Sequence, residues 1–378
     1  MDILGDYRVE IDNIDREMTK LLERRMNVSK AISEYKKEND MPIFHPEREK
    51  KVIEKNKGYL ENKNYSGLVE SYYEYLMYLS RLVQQKEIYK ENEIYTKPYK
   101  SDRENLVVGY QGVPGSFGNE AMLNYFKNTK EVRNYEKFEE VFKAVESGEI
   151  QYGILPVENS STGGIGTVED LLNEYNLYIV GEECIKINQN LVGIKGATED
   201  DIKDIYSHPQ GFEQSTKFLD KHKDYNLIPY SNTAISAKLV SDLKDKSKAA
   251  IASERAAKLY NLNIIKKDVN DLKNNYTRFI VIGRDLECSD KCDKVSILFS
   301  VEDSSGGLYK VVRDVKEFGL NMSKIESRPN RNNPWNYIFF VDLDGNLFDE
   351  NMKQAINTIA RNSKYFKLLG CYKNKKNN

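Results

Sequence analysis

The residues best suited to chemistry gather in a few short stretches. Gly153-Ile-Leu-Pro-Val-Glu-Asn-Ser-Ser-Thr-Gly-Gly-Ile-Gly-Thr167 carries an apolar strand through a polar, glycine-bearing loop into the helical pattern beginning at Val168. Such a loop collects backbone N–H groups and short side chains at the carboxyl end of a sheet, where open α/β folds hold anions. It suits a small carboxylate or phosphate, but its glycines match neither a P-loop nor a dinucleotide fingerprint, and a plain structural turn reads the same way. Ser207-His208-Pro209-Gln210 and Asn275-Tyr276-Thr277-Arg278-Phe279, further along, add hydroxyl, imidazole and amide groups.

A second set is cationic. Arg25 and Lys36 are eleven residues apart, very nearly three helical turns, so both project from one side of a helix. Arg8, 17 residues before Arg25, lies about 100° around the same wheel. Arg48-Glu49 follows, then Ser80 and Gln84 one turn apart. Taken singly, each cation reads as a solvated charge. The four cysteines form no paired Cys-x-x-Cys framework and read as structural thiols, and His45, His208 and His222 lie far apart. No metal or cofactor is expected.

The elements that position these groups divide the chain of 378 residues into three parts. Residues 6 to 92 hold three helical patterns. The first, with Ile11, Ile14, Met18, Leu21, Leu22, Val28 and Ile32 at three- and four-residue steps, runs for some 30 residues. A helix from Pro46 to Lys57 ends at Gly58, and a third runs from Ser66 to about Tyr89. Helices of such unequal length leave one end of the first uncovered, which predicts dimerisation. Lys90 to Glu104 reads as a linker.

Strands and helices then alternate. Leu106 to Tyr110 is a strand, Glu120 to Lys127 and Phe138 to Ser147 are helices, and strand Tyr152 to Val157 enters the first loop. A second run passes from strand Asn190 to Ile194 through Asp204 to Tyr206, helix Phe212 to His222, strand Leu227 to Tyr230, helix Thr233 to Ser241, strand Ala249 to Ala252 and helix Glu254 to Tyr260. Strand Thr277 to Gly283 is apolar enough to return to the middle of the first sheet, giving two lobes and a cleft. Residues 284 to 293 read as a second linker, and Lys294 to Cys371 as βαββαβ.

The Pro-x-Glu-Asn loop, the Ser-His-Pro-Gln turn and the Thr-Arg-Phe motif stand in the order and at the intervals of the prephenate dehydratase family, which this region resembles. The resemblance implies a two-lobed fold like that of periplasmic binding proteins, with Asn159, Ser160, Ser207, Gln214 and Thr277 lining the cleft. Thr277 would act on the departing ring hydroxyl, by proton transfer or by hydrogen bonding. Residues 6 to 88 resemble the all-helical chorismate mutases. Carried over, Arg25 and Arg48 would hold the carboxylates of chorismate, and Arg8 would reach into a partner's site. Lys36 and Gln84 would donate to the ether oxygen, Glu49 would accept from the ring hydroxyl, and Ser80 would help bind a carboxylate. Such a set suits a Claisen rearrangement, which needs a compact conformer and positive charge at the developing oxyanion. His45 stands where many relatives carry an acidic residue.

The last part resembles an ACT domain, an amino-acid-sensing module. Its Glu326-Ser327-Arg328-Pro329 motif is intact, whereas its first turn reads Gly306-Gly307-Leu308 with glycine in place of alanine. These resemblances imply a multidomain enzyme: an all-α three-helix mutase domain (1–95), a two-lobed α/β dehydratase domain (105–284) and an α+β ACT-like domain (294–375). It would convert chorismate through prephenate to phenylpyruvate, with inhibition by phenylalanine bound between two ACT domains at Gly306 to Leu308 and Glu326 to Arg328. Two alternatives stand beside this: a dehydratase whose helical domain only dimerises, and a non-catalytic two-lobed binding regulator. A net charge of −2 offers no basic field for nucleic acid, and no apolar run reaches membrane-spanning length. The amino terminus lacks a signal-peptide pattern, so the expected place is the cytoplasm and the expected assembly a homodimer or homotetramer.

Overall fold

The computed structural model describes residues 2–88, 97–98, 105–330 and 336–375. Most of the first expected linker lies outside them. The chain divides into two compact units, Met1–Ile94 and Tyr95–Asn378.

The first unit holds α1 (Ile3–Glu38), α2 (Pro46–Gly58) and α3 (Ser66–Ile88). Local chemistry sets the ends. Asp2 accepts from Gly5 N, and His45 Nδ1 accepts from Arg48 N at the start of α2, where Pro46 needs no donor. Leu76, Met77 and Tyr78 of α3 are buried, as are Ser29 and Ser33 of α1. The apolar stripe of α1 is not. Ile11, Ile14, Met18, Leu21, Leu22, Val28 and Ile32 are all exposed, because the shorter helices of the same chain leave that face uncovered.

The second unit begins with β1 (Lys97–Pro98), β2 (Leu106–Gln111), α4 (Phe117–Tyr125), β3 (Thr129–Tyr135), α5 (Phe138–Ser147), β4 (Tyr152–Asn159), β5 (Gly163–Gly164), α6 (Gly166–Glu174) and β6 (Tyr178–Lys186). A second lobe follows, with β7 (Asn190–Gly193), β8 (Asp204–Ser207), α7 (Pro209–Glu213), α8 (Thr216–Leu219), β9 (Asn226–Pro229), α9 (Thr233–Leu243), β10 (Lys248–Ala252), α10 (Glu254–Leu259) and β11 (Asn263–Lys266). The chain returns through β12 (Tyr276–Gly283) and β13 (Glu287–Cys288) to β14 (Lys294–Ser300), α11 (Gly307–Glu317), β15 (Asn321–Pro329), β16 (Tyr337–Asp344), α12 (Glu350–Asn362) and β17 (Tyr365–Tyr372). The last six elements keep the expected βαββαβ order.

Several expectations need correction. The helix expected from Glu120 starts at Phe117, because Ser116 caps it by accepting from Asn119 N. The helix expected over Phe212 to His222 is two short pieces. Asp271 accepts from Thr216 Oγ1 and Lys217 N at 2.5 and 2.9 Å, so it starts α8 separately. Strands β3, β6 and β11 carried no recognised signal. The segment read as a second linker is folded: Leu286, Glu287, Cys288 and Cys292 are buried, and β13 pairs with β1.

The second lobe is a five-stranded sheet ordered β11-β7-β10-β8-β9. The larger sheet runs β15-β16-β14-β17-β6-β12-β4-β2-β3, with β5 paired to β4, so β12 does return to its middle. One sheet thus spans the first lobe and the βαββαβ part. The joint is the parallel pairing of Gly370 in β17 with Ile179 in β6. A Cβ at 370 would lie 2.0 Å from Ile179 O, so only glycine permits the approach. Side chains of both parts share one core, in which Ile282, Val157 and Leu172 meet Leu298, Phe340 and Tyr372.

Candidate active sites

A cleft of about 410 Å³ in the second unit draws its walls from both lobes. Its floor is the paired β4 and β12, where Asn159 stands directly across from Thr277. Asn159 Oδ1 accepts from Ser161 N at 2.9 Å and Thr162 N at 3.2 Å, which fixes the amide orientation. Its Nδ2 therefore donates, to Asn275 Oδ1 at 2.8 Å and to Thr277 Oγ1 at 2.9 Å. Thr277 Oγ receives that hydrogen bond, which does not use its own proton, so the hydroxyl can still donate to an acceptor in the cleft.

Three helix N-termini line the same space. Ser116, His208 and Asn232 cap α4, α7 and α9, and all three line the cleft with Gln210, Gln214 and Thr233. Among the described residues, none that lines it is charged. Oriented N–H groups and neutral donors make it a site for anions without a salt bridge. His208 Nδ1 accepts from Gln210 N at 3.2 Å, which leaves Nε2 as the ring donor.

Two expected lining residues are placed elsewhere. Ser207 is fully buried, donates to Ile251 O at 3.0 Å, and lies behind the cleft wall; at the end of β8, just before the short βα turn, its hydroxyl faces inward. Ser160 faces out of the cavity, with its hydroxyl between Tyr276 N and Asn274 O at 2.9 and 3.3 Å. Ser116, His208, Asn232 and Thr233 were missed as site residues, although a serine three residues before a helical pattern is a legible cap.

Arg278 alternates with Thr277 and points to the other face, into an ionic cluster. It pairs with Glu158 of β4 at 3.0 Å, Glu182 of β6 at 3.2 Å and Asp342 of β16 at 2.8 Å. Lys294 of β14 pairs with Glu182 at 2.8 Å, and Ser296 Oγ donates to Asp342 at 2.5 Å. Burial alone would depress the Arg278 guanidinium, but Asp342 and its neighbours hold it well above its ordinary value. Burial likewise opposes ionisation of Asp342, and Arg278 with Lys294 overcomes it, holding the carboxyl below the usual range.

The strand that carries Glu326-Ser-Arg-Pro329 meets the first loop and the helix after it. Lys324 Nζ donates to Glu169 at 2.9 Å and Arg328 pairs with Asp170 at 3.4 Å, both on α6. A Cβ on Gly166 would touch the Arg328 guanidinium at 2.3 Å, and one on Gly164 would meet the Glu326 carboxyl at 3.2 Å. Gly306 begins α11 at φ 77°. Ser300, Ile338 and Arg328 are in register across β14, β16 and β15, so both motifs lie at one end of the sheet with a strand between them. Within one chain they do not meet.

In the helical unit, Arg25 reaches from α1 to α3, donating to Ser80 Oγ and to Leu76 O at 3.3 Å. Lys36 Nζ donates to Ile43 O at 2.6 Å. Burial lowers the pKa of Lys36, opposed by the Glu49 charge, and burial lowers that of Arg25. Glu49 pairs with Arg81, which lies 5.1 Å from the Phe44 ring centre and was not anticipated. Gln84 is buried one turn after Ser80, and its Oε1 has no partner. Arg48 and Arg8 are exposed, and Arg8 stands roughly 25 Å from Arg25 along α1.

A two-lobed anion-binding cleft and a separate helical unit with converging polar groups define an enzyme of two activities. The prephenate dehydratase family profile matches residues 108–287, and the profile of chorismate mutase type II matches residues 7–85. A relative from Aquifex aeolicus, named bifunctional chorismate mutase/prephenate dehydratase, is 33% identical over 98% of this chain and 98% of its own. The chain belongs to that family of bifunctional chorismate mutase/prephenate dehydratases. Among solved structures, prephenate dehydratase from Arthrobacter aurescens in complex with L-Phe is 27% identical, with a TM-score of 0.65 over 71% of this chain and 90% of that one. A chain described as a novel type of quorum quenching acylase matches at 27% identity and a TM-score of 0.64, over 71% of this chain and 97% of that one. The enzyme rearranges chorismate to prephenate and dehydrates prephenate to phenylpyruvate.

Proposed function

We propose that Thr277 serves the dehydratase step by donating a hydrogen bond to the departing ring hydroxyl of prephenate. The observation that carries this is the fixed Asn159 amide, which donates to the Thr277 oxygen and holds that hydroxyl at the cleft floor without using its proton. Loss of carbon dioxide sends the electrons of the broken C–C bond into the ring and breaks the C–O bond, and the hydroxyl leaves as water with one proton drawn from solvent. Helix N-termini, with Gln214 beside them, hold the side-chain carboxylate, while the uncharged lining gives the ring carboxylate that must fragment no salt bridge. Ser160 and Ser207 support the loop and the turn.

In the helical unit we assign carboxylate binding to Arg25, Arg48 and Ser80, the ether oxygen to Lys36 and Gln84, and the ring hydroxyl to Glu49. The burial of Gln84 one turn after Ser80 on α3 supports this reading. Arg8 is too far along α1 to join that set in one chain, so a second copy supplies it, through the uncovered stripe of α1. Residues 1–95, 105–284 and 294–375 act as mutase, dehydratase and ACT-like regulatory modules of a cytoplasmic homodimer or homotetramer. Phenylalanine is the effector, held where Gly306 to Leu308 of one copy meets Glu326 to Arg328 of another. The packing of Lys324 and Arg328 on α6 supports a direct route from that motif to the cleft loop. The test is to supply chorismate to the purified chain and measure prephenate and phenylpyruvate, with and without phenylalanine. Prephenate that accumulates in a folded Thr277→Val variant supports the assignment; normal phenylpyruvate formation rejects it.

A further inference from the structure

Three of the four cysteines converge although sequence spacing separates them. Cys288 ends β13, Cys292 closes the turn after it, and Cys371 comes from β17, 79 residues beyond Cys292. Their sulfurs all lie within 4.8 Å of one another, with Cys288 and Cys371 at 3.0 Å. All three are buried, at 2%, 6% and 0% exposure. Burial of small apolar side chains does not require their sulfurs to share one point.

The surroundings are also built around the sulfurs. Ser289 N donates to Cys292 Sγ at 3.3 Å, the kind of backbone contact that holds a thiolate. Buried Asn346 clamps the turn, its Nδ2 donating to Ser289 O at 2.7 Å and to Cys292 O at 2.8 Å. Asn346 Oδ1, held by Phe348 N at 2.9 Å, lies 3.5 Å from Cys288 Sγ and offers an oxygen beside the three thiols.

We propose that Cys288, Cys292 and Cys371 bind one thiophilic d¹⁰ cation, zinc(II) in the first instance, with Asn346 Oδ1 or a water in the fourth position. Zinc–sulfur bonds of about 2.3 Å in a tetrahedron place sulfurs roughly 3.8 Å apart, within the observed cluster. Only Cys288 and Cys371 must separate, by less than about 1 Å. Soft thiolates select zinc or copper(I) over magnesium or calcium. A disulfide between Cys288 and Cys371 is the rival; it would leave Cys292 and its Ser289 contact without a role. The ion would tie the connection between β12 and β14 to the last strand, one residue from the Gly370 joint.

The experiment uses the full chain, purified with reductant and loaded with zinc or cobalt(II), then dialysed. Mass spectrometry of the metal should find about one zinc per chain in the parent and in the Cys184→Ser control, and the loss of most of it in Cys292→Ser and Cys371→Ser. Cobalt should give a thiolate-to-metal charge-transfer band, and Asn346→Ala should weaken cobalt binding roughly tenfold or more while circular dichroism stays unchanged. Should a cysteine variant fail to fold, cobalt titration of the parent decides the matter. No stoichiometric metal and no charge-transfer band in the parent overturns the proposal. A Cys288–Cys371 disulfide in the peptide map of the reductant-purified protein overturns it as well, in favour of a redox pair.

Discussion

Replacing Arg278 with methionine keeps an unbranched apolar stem and removes the charge from a cluster of three carboxylates. Glu182 and Asp342 are buried, so neither can turn to water, and Lys294 alone cannot neutralise both. Breaking a buried ion pair by removing one partner costs about 3–5 kcal/mol, most of it from the charge left behind. Glu158, only partly buried, adds less. With a urea slope of about 3 kcal/mol/M, the unfolding midpoint of the second unit should fall by about 1 M or more. Urea titration by far-ultraviolet circular dichroism, with dehydratase activity as a second probe, measures it. The pH dependence provides a check of sign. In the parent, the depressed Asp342 carboxyl contributes stability that is present above its unfolded pKa and is lost only as pH falls through its lower folded value. In the variant the same carboxyl loses its main cation and gains from protonation earlier. The gap should therefore be widest near neutrality and narrow as the pH falls. A midpoint shift under about 0.3 M, or a gap that grows in acid, would refute the reasoning.

Lys36→Ala should remove rearrangement by a factor of about 10²–10³ while leaving dehydration of added prephenate intact; equal loss of both activities in a folded variant would contradict separate sites. Because burial lowers the Lys36 pKa and the reaction uses its charged form, mutase kcat/KM should fall with rising pH before the ordinary lysine range is reached, and a flat profile through pH 10 would discount the lysine. Thr277→Ser should keep much of the dehydratase activity that Thr277→Val loses; equal rates in the two variants would make the hydroxyl irrelevant. Phenylalanine should inhibit without competing against prephenate, and Gly306→Val, strained at φ 77°, should weaken the inhibition. Clean competition would move the amino acid into the cleft.

What could be read from the residues was what is local or periodic. Helices such as α5 and α11 announce their faces, and the glycine-bearing loop after Asn159 leads into a helix as expected, although Pro156-Val-Glu-Asn159 itself is the end of β4 and not part of the loop. Strand β3 escaped notice because its exposed edge is polar, and β6 because its apolar run is broken by Gly181-Glu-Glu183. The inward turn of Ser207 depends on Ile251, which is 44 residues away. Arg278 reads as one charge in a strand; its meaning comes from Glu182 and Asp342, supplied by two other strands. The convergence of three cysteines was illegible for the same reason, since spacing describes pairs close in sequence and Cys371 arrives from the final strand.

The glycine joint between β17 and β6 alters what deletion of the carboxyl-terminal part would mean. Cutting near residue 290 would strip β6 of its neighbour and open its backbone to other chains, while Arg278 would lose Asp342 and Glu182 would lose Lys294. A shortened enzyme would thus lose inhibition and gain a tendency to aggregate together. Variants insensitive to feedback are better sought as substitutions at Gly306 or along β15 than by removing the module, and grafting it onto another dehydratase would require the host to carry a matching edge.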